Sequence, residues 1–257
     1  MEPQLLTIDV ATKTGVPKEP VIYSNDYFGI LDTLAGDDVK ISIVGTGLPD
    51  HKCLSNLSDF ETIIDNEDEV YDTLGTSTSL SGLIGGDDTV KVRGLSPSGQ
   101  LLCLKAFRSN GTTDYDTLTA AVLWSIIKEA NIIVFPFLFD LEHQRFRSSI
   151  KKAYKSGIFI LAPMVKDGYK YEEIICVGGK KRKKGFSLLD FKKDMTIAVP
   201  KEPIISLFGK NSYISVGPEL ASLGMATGLV SNLVGKHLDI KTKNVYDGVV
   251  EDLKQLV

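Results

Sequence analysis

An unbroken run of alternating apolar and amphipathic stretches between residues 100 and 163 constrains this fold most. "QLLCLKAF" (100–107) is apolar at nearly every position and reads as a buried strand. "DYDTLTAAVLWSIIKEA" (114–130) places Leu118, Ala121, Val122, Ser125 and Ile126 at helical spacing, with Asp114 and Asp116 at the end where a helix dipole favours acids. "NIIVFPF" (131–137) is a second strand. "QRFRSSIKKAYKSG" (144–157) is a helix with lysines near its end and a glycine stop, and "IFILAP" (158–163) is a third strand. Strands that are apolar on both faces, separated by helices, predict a parallel sheet covered on both sides.

The pattern continues on either side. Residues 39–44 read as a strand, and small residues at 76–86 lead into an apolar face that could start a helix. "EEIICVGG" and "FSLLDF" flank a turn at "KKRKKG", 195–200 is a further strand, and 220–235 is a helix rich in small residues. No linker, low-complexity segment or internal repeat interrupts this order. Residues 1–257 are expected to form a single domain.

Several function classes lose support at this level. A net charge of −4 gives no electrostatic case for broad nucleic-acid binding. Cys53, Cys103 and Cys176 are few, odd in number and far apart, so they read as buried free thiols. The start "MEPQLLTIDVATKTG" has no basic region followed by an apolar core, so a secretion signal is not expected. No apolar stretch suits a membrane span. The expected setting is the cytoplasm, or a particle assembled inside a cell.

Ligands of open α/β sheets sit outside the carboxyl ends of the strands. "KISIVGTGLPDHKCL" (40–54) is a strand that ends in such a place, on Gly45-Thr46-Gly47-Leu48-Pro49-Asp50-His51. "TSTSLSG" follows at 76–82, "SGIFILAPMVKDG" at 156–168 and "GPELAS" at 217–222. In this order, and with the strands and helices between them, the four segments resemble the motifs of the subtilisin-like serine proteases. The resemblance runs from about residue 23 to residue 237. It implies an α/β, three-layer subtilisin-like fold with a mostly parallel central sheet and helices on both faces.

The resemblance also assigns positions. The family's first motif reads Asp-Thr-Gly-Ile, and its catalytic Asp falls on Gly45. The second reads His-Gly-Thr-His-Val-Ala-Gly; Thr78 and Gly82 are retained, and the catalytic His falls on Thr76. The fourth reads Gly-Thr-Ser-Met-Ala-Ser; Gly217, Ala221 and Ser222 are kept, and the nucleophile falls on Glu219, or on Leu220 if the register slips by one. The oxyanion-hole Asn falls on Lys166, which keeps some donor capacity as a cation. A triad needs a hydroxyl to attack, an imidazole to take its proton and a carboxylate to hold that imidazole. None of these positions supplies its own role: Gly45 has no side chain, Thr76 is no base near neutral pH, and neither Glu219 nor Leu220 is a hydroxyl nucleophile. The implied protein is a pseudoenzyme.

Other residues offer little chemistry. His51 reads as a loop histidine, His143 and His237 as surface residues. Asp50 and His51 are adjacent, and adjacent loop residues seldom aim at one reacting atom. Ser215 and Ser222 have no base predicted beside them. "GTG" at 45–47 lacks the Gly-Lys-Ser/Thr of a phosphate loop. Cys and His spacings give no zinc site, and "GGDD" (85–88) reads as a solvated turn rather than a calcium loop. No metal, cofactor or small-molecule substrate is expected.

The remaining expectation is a structural or protein-interaction module, such as a subunit of a virion or phage particle. Its partner would be another protein chain. The alternative is a serine protease or other hydrolase with a non-standard active site, using unusual residues such as Asp50, His51 and Ser222. Two surfaces are candidates. Phe135, Phe137 and Phe139 stand where the family has a glycine-rich strand beside its substrate cleft, and Met164 and Val165 replace small wall residues. If exposed, these side chains make an apolar docking patch; if buried, they are core. The turn 180–185, with Lys180 and Arg182, is either a site for an anionic partner or a solvated hairpin.

Overall fold

The computed structural model describes residues 6–7, 38–65, 67–88, 92–163, 171–180, 187–188, 196–200, 204–241 and 243–255. Lys166, Met164, Val165 and Arg182 lie outside them. An eight-stranded sheet organises the rest. Its strands in chain order are β1 (Lys40–Gly45), β2 (Leu57–Thr62), β3 (Gln100–Lys105), β4 (Ile132–Val134), β5 (Phe159–Pro163), β6 (Ile175–Lys180), β7 (Ser187–Leu188) and β8 (Thr196–Pro200). In space the order is β7-β8-β6-β5-β4-β1-β3-β2. Every neighbouring pair is parallel except β7 with β8. The mostly parallel sheet expected from the unbroken apolar runs is therefore present.

Two helical layers cover it. On one face lie α1 (Thr76–Gly85), α4 (Pro218–Asp239) and α5 (Val245–Gln255); on the other lie α2 (Tyr115–Ile127) and α3 (Gln144–Lys155). The strands divide their side chains by the two-residue period of a pleated strand. Ile41, Ile43, Leu101, Cys103, Ile132 and Val134 join the first layer. Val44, Leu104, Ile133, Phe135, Ile160 and Ala162 join the second. Fully burying one such side chain contributes roughly 1.5–3 kcal/mol, so both faces of each central strand stabilise the fold. A polar exception is Ser42, whose hydroxyl meets Ser125 of α2 at 2.7 Å in the second layer.

Capping explains where the helices begin. Asp114 stands just outside α2, and its carboxylate accepts the Thr117 N–H at 2.8 Å. His143 caps α3 in the same way, accepting the Phe146 N–H through Nδ1 at 3.4 Å. It is half-buried and stacks on Tyr115, with centroids 5.1 Å apart. α4 is longer than its small-residue stretch suggested. Pro218 opens it at a position where the missing N–H costs nothing, and it runs on to Asp239.

Three features were not legible in advance. β2 is an edge strand of mixed polarity, "LSDFET", with no apolar run to mark it. An antiparallel hairpin follows the sheet, β9 (Ile204–Phe208) with β10 (Ser212–Val216), and α5 packs Val249 and Leu253 into the first layer. His237 is buried rather than on the surface, because α5 covers it and brings Asp252 to 3.1 Å from its Nε2. Among the described residues no helix is long and apolar enough to cross a membrane.

Candidate functional site

Gly45 ends β1, side by side with Lys105 at the end of β3. The chain then turns through Gly47, whose φ of 148° and close approach to the Tyr71 backbone leave no room for a side chain. That approach lets the chain pair again. The Leu48 N–H donates to Val70 O at 2.8 Å, and the Asp72 N–H donates to Leu48 O at 3.0 Å. Asp72 is thereby set beside Thr46, just ahead of α1.

A compact polar network forms there. The Thr46 hydroxyl donates to Asp72 Oδ1 at 2.7 Å. The Gly75 N–H donates to the same oxygen at 2.8 Å, while the N–H and hydroxyl of Thr78 donate to Oδ2 at 2.7 and 2.8 Å. Asp72 thus caps α1 and answers both its open N–H groups and its dipole. Sequence reading missed this residue; its signal was an acid six positions ahead of Thr78, on a segment not assigned to any element.

Ser77 closes the network over Gly45. Its Oγ accepts the Thr46 N–H at 2.7 Å, and its own N–H donates to Thr46 Oγ1 at 3.2 Å. A Cβ placed on Gly45 would fall on Ser77 Oγ, well inside van der Waals contact. The space beyond residue 45 is filled by a neighbouring side chain. Thr76, the first residue of α1, is buried, and its hydroxyl has no hydrogen-bond partner among the described residues.

Glu219 lies in the first turn of α4 and is exposed. The Ser222 hydroxyl is buried one turn further on. Lys105 is fully buried, and its Nζ donates to Thr46 O at 3.2 Å, which ties β3 to the turn after β1. The arrangement binds backbone to backbone: Thr46, Asp72, Ser77 and Thr78 hold α1 against the end of β1, and Lys105 ties in β3.

The other candidate residues are dispersed. Asp50 pairs with Lys210 at 3.1 Å, while His51 Nδ1 accepts the Cys53 N–H at 3.2 Å. The two neighbours therefore face different partners and form no dyad. His51 is buried, edge-on to the Tyr213 ring at 5.5 Å. Ser55 donates to Asp87, and Asp87–Asp88 pairs with Val92–Arg93 in a short antiparallel ladder. The three cysteines are buried; burial pushes the Cys103 thiol up to about 12, which leaves it unreactive near neutral pH.

Phe135, Phe137 and Phe139 are buried and form core, so the docking patch considered for them is not available. Phe137 meets Phe107 at 4.6 Å between centroids, and Phe139 meets Phe135 at 4.9 Å and Phe146 of α3 at 5.2 Å. The alternation across this stretch turns these rings inward and leaves Leu138 outside, 52% exposed. Lys180 is the last residue of β6, and the basic turn beyond it lies outside the described residues.

Parallel strands between two helical layers, with a helix starting at the carboxyl ends of β1 and β3, define a three-layer α/β protein, consistent with a subtilisin-like fold. The sequence agrees. The chain is 23% identical to Subtilisin DY of Bacillus licheniformis over 226 residues, which is 82% of this chain and 81% of that protein. It is 25% identical to the minor extracellular protease Epr of Bacillus subtilis (strain 168), over 52% of this chain and 21% of that protein. Subtilisin NAT of Bacillus subtilis subsp. natto matches at 23% over 85% of this chain and 52% of its own length. The chain thus spans between a fifth and four fifths of these curated relatives. No family model matches it. In sequence and in fold the chain is subtilisin-like.

Proposed function

We propose that this chain is a catalytically inactive subtilisin-like module that acts by contact with another protein chain, as a subunit of a larger assembly. One observation carries the reading: the place of the carboxylate in the resemblance is Gly45, and Ser77 Oγ fills the volume a side chain there would need. Loss of a charged group by substitution alone leaves a cavity that water can enter. Here Ser77 Oγ occupies that space and is hydrogen-bonded in place. Thr76 and Glu219 support the same reading, since neither an imidazole nor a hydroxyl nucleophile stands at the corresponding positions.

The test is chemical. Purified protein incubated with a fluorophosphonate probe and with a panel of peptide substrates is expected to show neither labelling nor cleavage. Stoichiometric labelling of Ser215, Ser222 or any other serine would overturn the proposal and favour a hydrolase with different machinery.

A further inference from the structure

Charge is unevenly placed on this molecule. The whole chain carries −4. Yet α3, "QRFRSSIKKAYK", carries Arg145, Arg147, Lys151, Lys152 and Lys155 with no acid, and all five side chains are exposed. Beside it an open groove of about 390 Å³ runs between α2 and α3. Leu123 and Thr119 of α2 form one wall, and Arg145, Ser148 and Lys152 of α3 form the other. The groove thus has an apolar side and a cationic rim.

The opposite charge is gathered elsewhere. Residues 67–72, "EDEVYD", carry four acids and no base; Asp72 is engaged in capping α1, which leaves Glu67, Asp68 and Glu69. They lie at the carboxyl ends of β1 and β3, as the Leu48–Tyr71 bridge and the Glu67 contact to the Ser109 N–H at 2.7 Å require. Asp68 and Glu69 are exposed, and so is Tyr71, at 47%. Among the described residues no ion pair joins this segment to α3. Arg145 instead meets Asp116 at 3.6 Å, an exposed pair of small energetic weight.

We infer that the groove between α2 and α3 docks the acidic segment 67–72 of a second copy of this chain. Asp68 and Glu69 of one copy meet Arg145 and Lys152 of the next, and the Tyr71 ring lies against Leu123. The charges are complementary within a single sequence, and each copy has one groove and one segment. Two different surfaces meet, so the contact is head-to-tail and extends into a chain or closes into a ring. The patch is small, so the contact is weak and screened by salt. This inference rests on reading the domain as an interaction module.

Sedimentation velocity on the full chain tests it. At about 50 mM salt the mass is expected to rise with concentration, and at about 500 mM salt the association weakens about tenfold or more, because the screening length shortens from above 10 Å to a few ångströms. Lys152→Glu alone and Asp68→Lys alone each sediment as monomer. A mixture of the two variants regains pairing, because the intact segment of one fits the intact groove of the other. Both side chains are exposed, so far-ultraviolet circular dichroism stays unchanged. A wild-type monomer at all salts, an association that survives Lys152→Glu, or no recovery in the mixture overturns the inference. So does binding to phosphatidylserine vesicles that depends on Lys152 without self-association, which assigns the basic rim to a membrane surface. These outcomes leave the module reading intact, whereas serine labelling sinks that reading whatever the assembly state.

Discussion

Ser77 Oγ sits where a side chain on Gly45 would have to go, and it holds the Thr46 N–H at 2.7 Å while doing so. The two residues are 32 positions apart in sequence but act as one packing unit. A small residue at 45 and a larger one at 77 fill a single volume.

Gly45→Asp is therefore expected to destabilise the protein, by about 1–3 kcal/mol from overpacking and more if the carboxylate stays charged. Ser77→Gly in the same chain should recover part of that loss. Urea denaturation of the two single variants and the double variant would measure the coupling. Additive effects would show that Ser77 does not fill the site. It also follows that restoring a triad by Gly45→Asp, Thr76→His and Glu219→Ser alone gives a destabilised protein; Ser77→Gly is the fourth change it needs.

Phe137→Ala is expected to cost about 3–5 kcal/mol, because the ring is buried against Phe107. Leu138→Ala, one residue on and 52% exposed, should stay within about 0.5 kcal/mol of wild type. Thermal or urea unfolding separates the two. A mild Phe137→Ala phenotype would mean that the ring is a surface group after all.

Acid is expected to weaken the fold through Asp114 and Asp252. Burial pushes the Asp114 carboxyl up, but the Thr117 N–H and hydroxyl and the Arg108 guanidinium outweigh it and hold the group below its ordinary 3.8. Burial acts on Asp252 in the same direction, and Lys236 and His237 reverse it. A carboxyl lowered in the folded state stabilises fully above its unfolded value, and the contribution is lost as pH falls through the folded value. Stability should hold from neutral pH to about 5 and decline below about 4. Asp114→Ala should remove about 1 kcal/mol at pH 7 and make the acid limb shallower. An unchanged acid limb would exclude Asp114 as a contributor.

The central architecture was readable because local chemistry and tertiary role coincide there. "IVF" at 133–135 and "FILA" at 159–162 are apolar without alternation, and only a strand buried on both faces needs that. Helix ends were readable to within a few residues where a cap residue marks them, as Asp114 does. β2 was not, because an edge strand buries one face partly and its sequence carries Asp59 and Glu61. The hairpin of β9 and β10 was missed because β9 packs against α1 from far away in sequence, Leu207 meeting Ser79 across 128 positions, and no local pattern reports a distant surface.

By itself, the sequence determined the order of the central strands and of helices α1 to α4, the order of the four motif segments and the residue types at 45, 76 and 219. Those follow from composition along the chain and need no contact to be known. Only the tertiary structure decided what fills the space at Gly45, that Asp72 caps α1, that three phenylalanines point inward, and that His237 is buried against Asp252. Each of these depends on which distant side chain arrives at a given point. Packing sets that in three dimensions, and a residue type read in isolation fits an exposed site as well as a buried one.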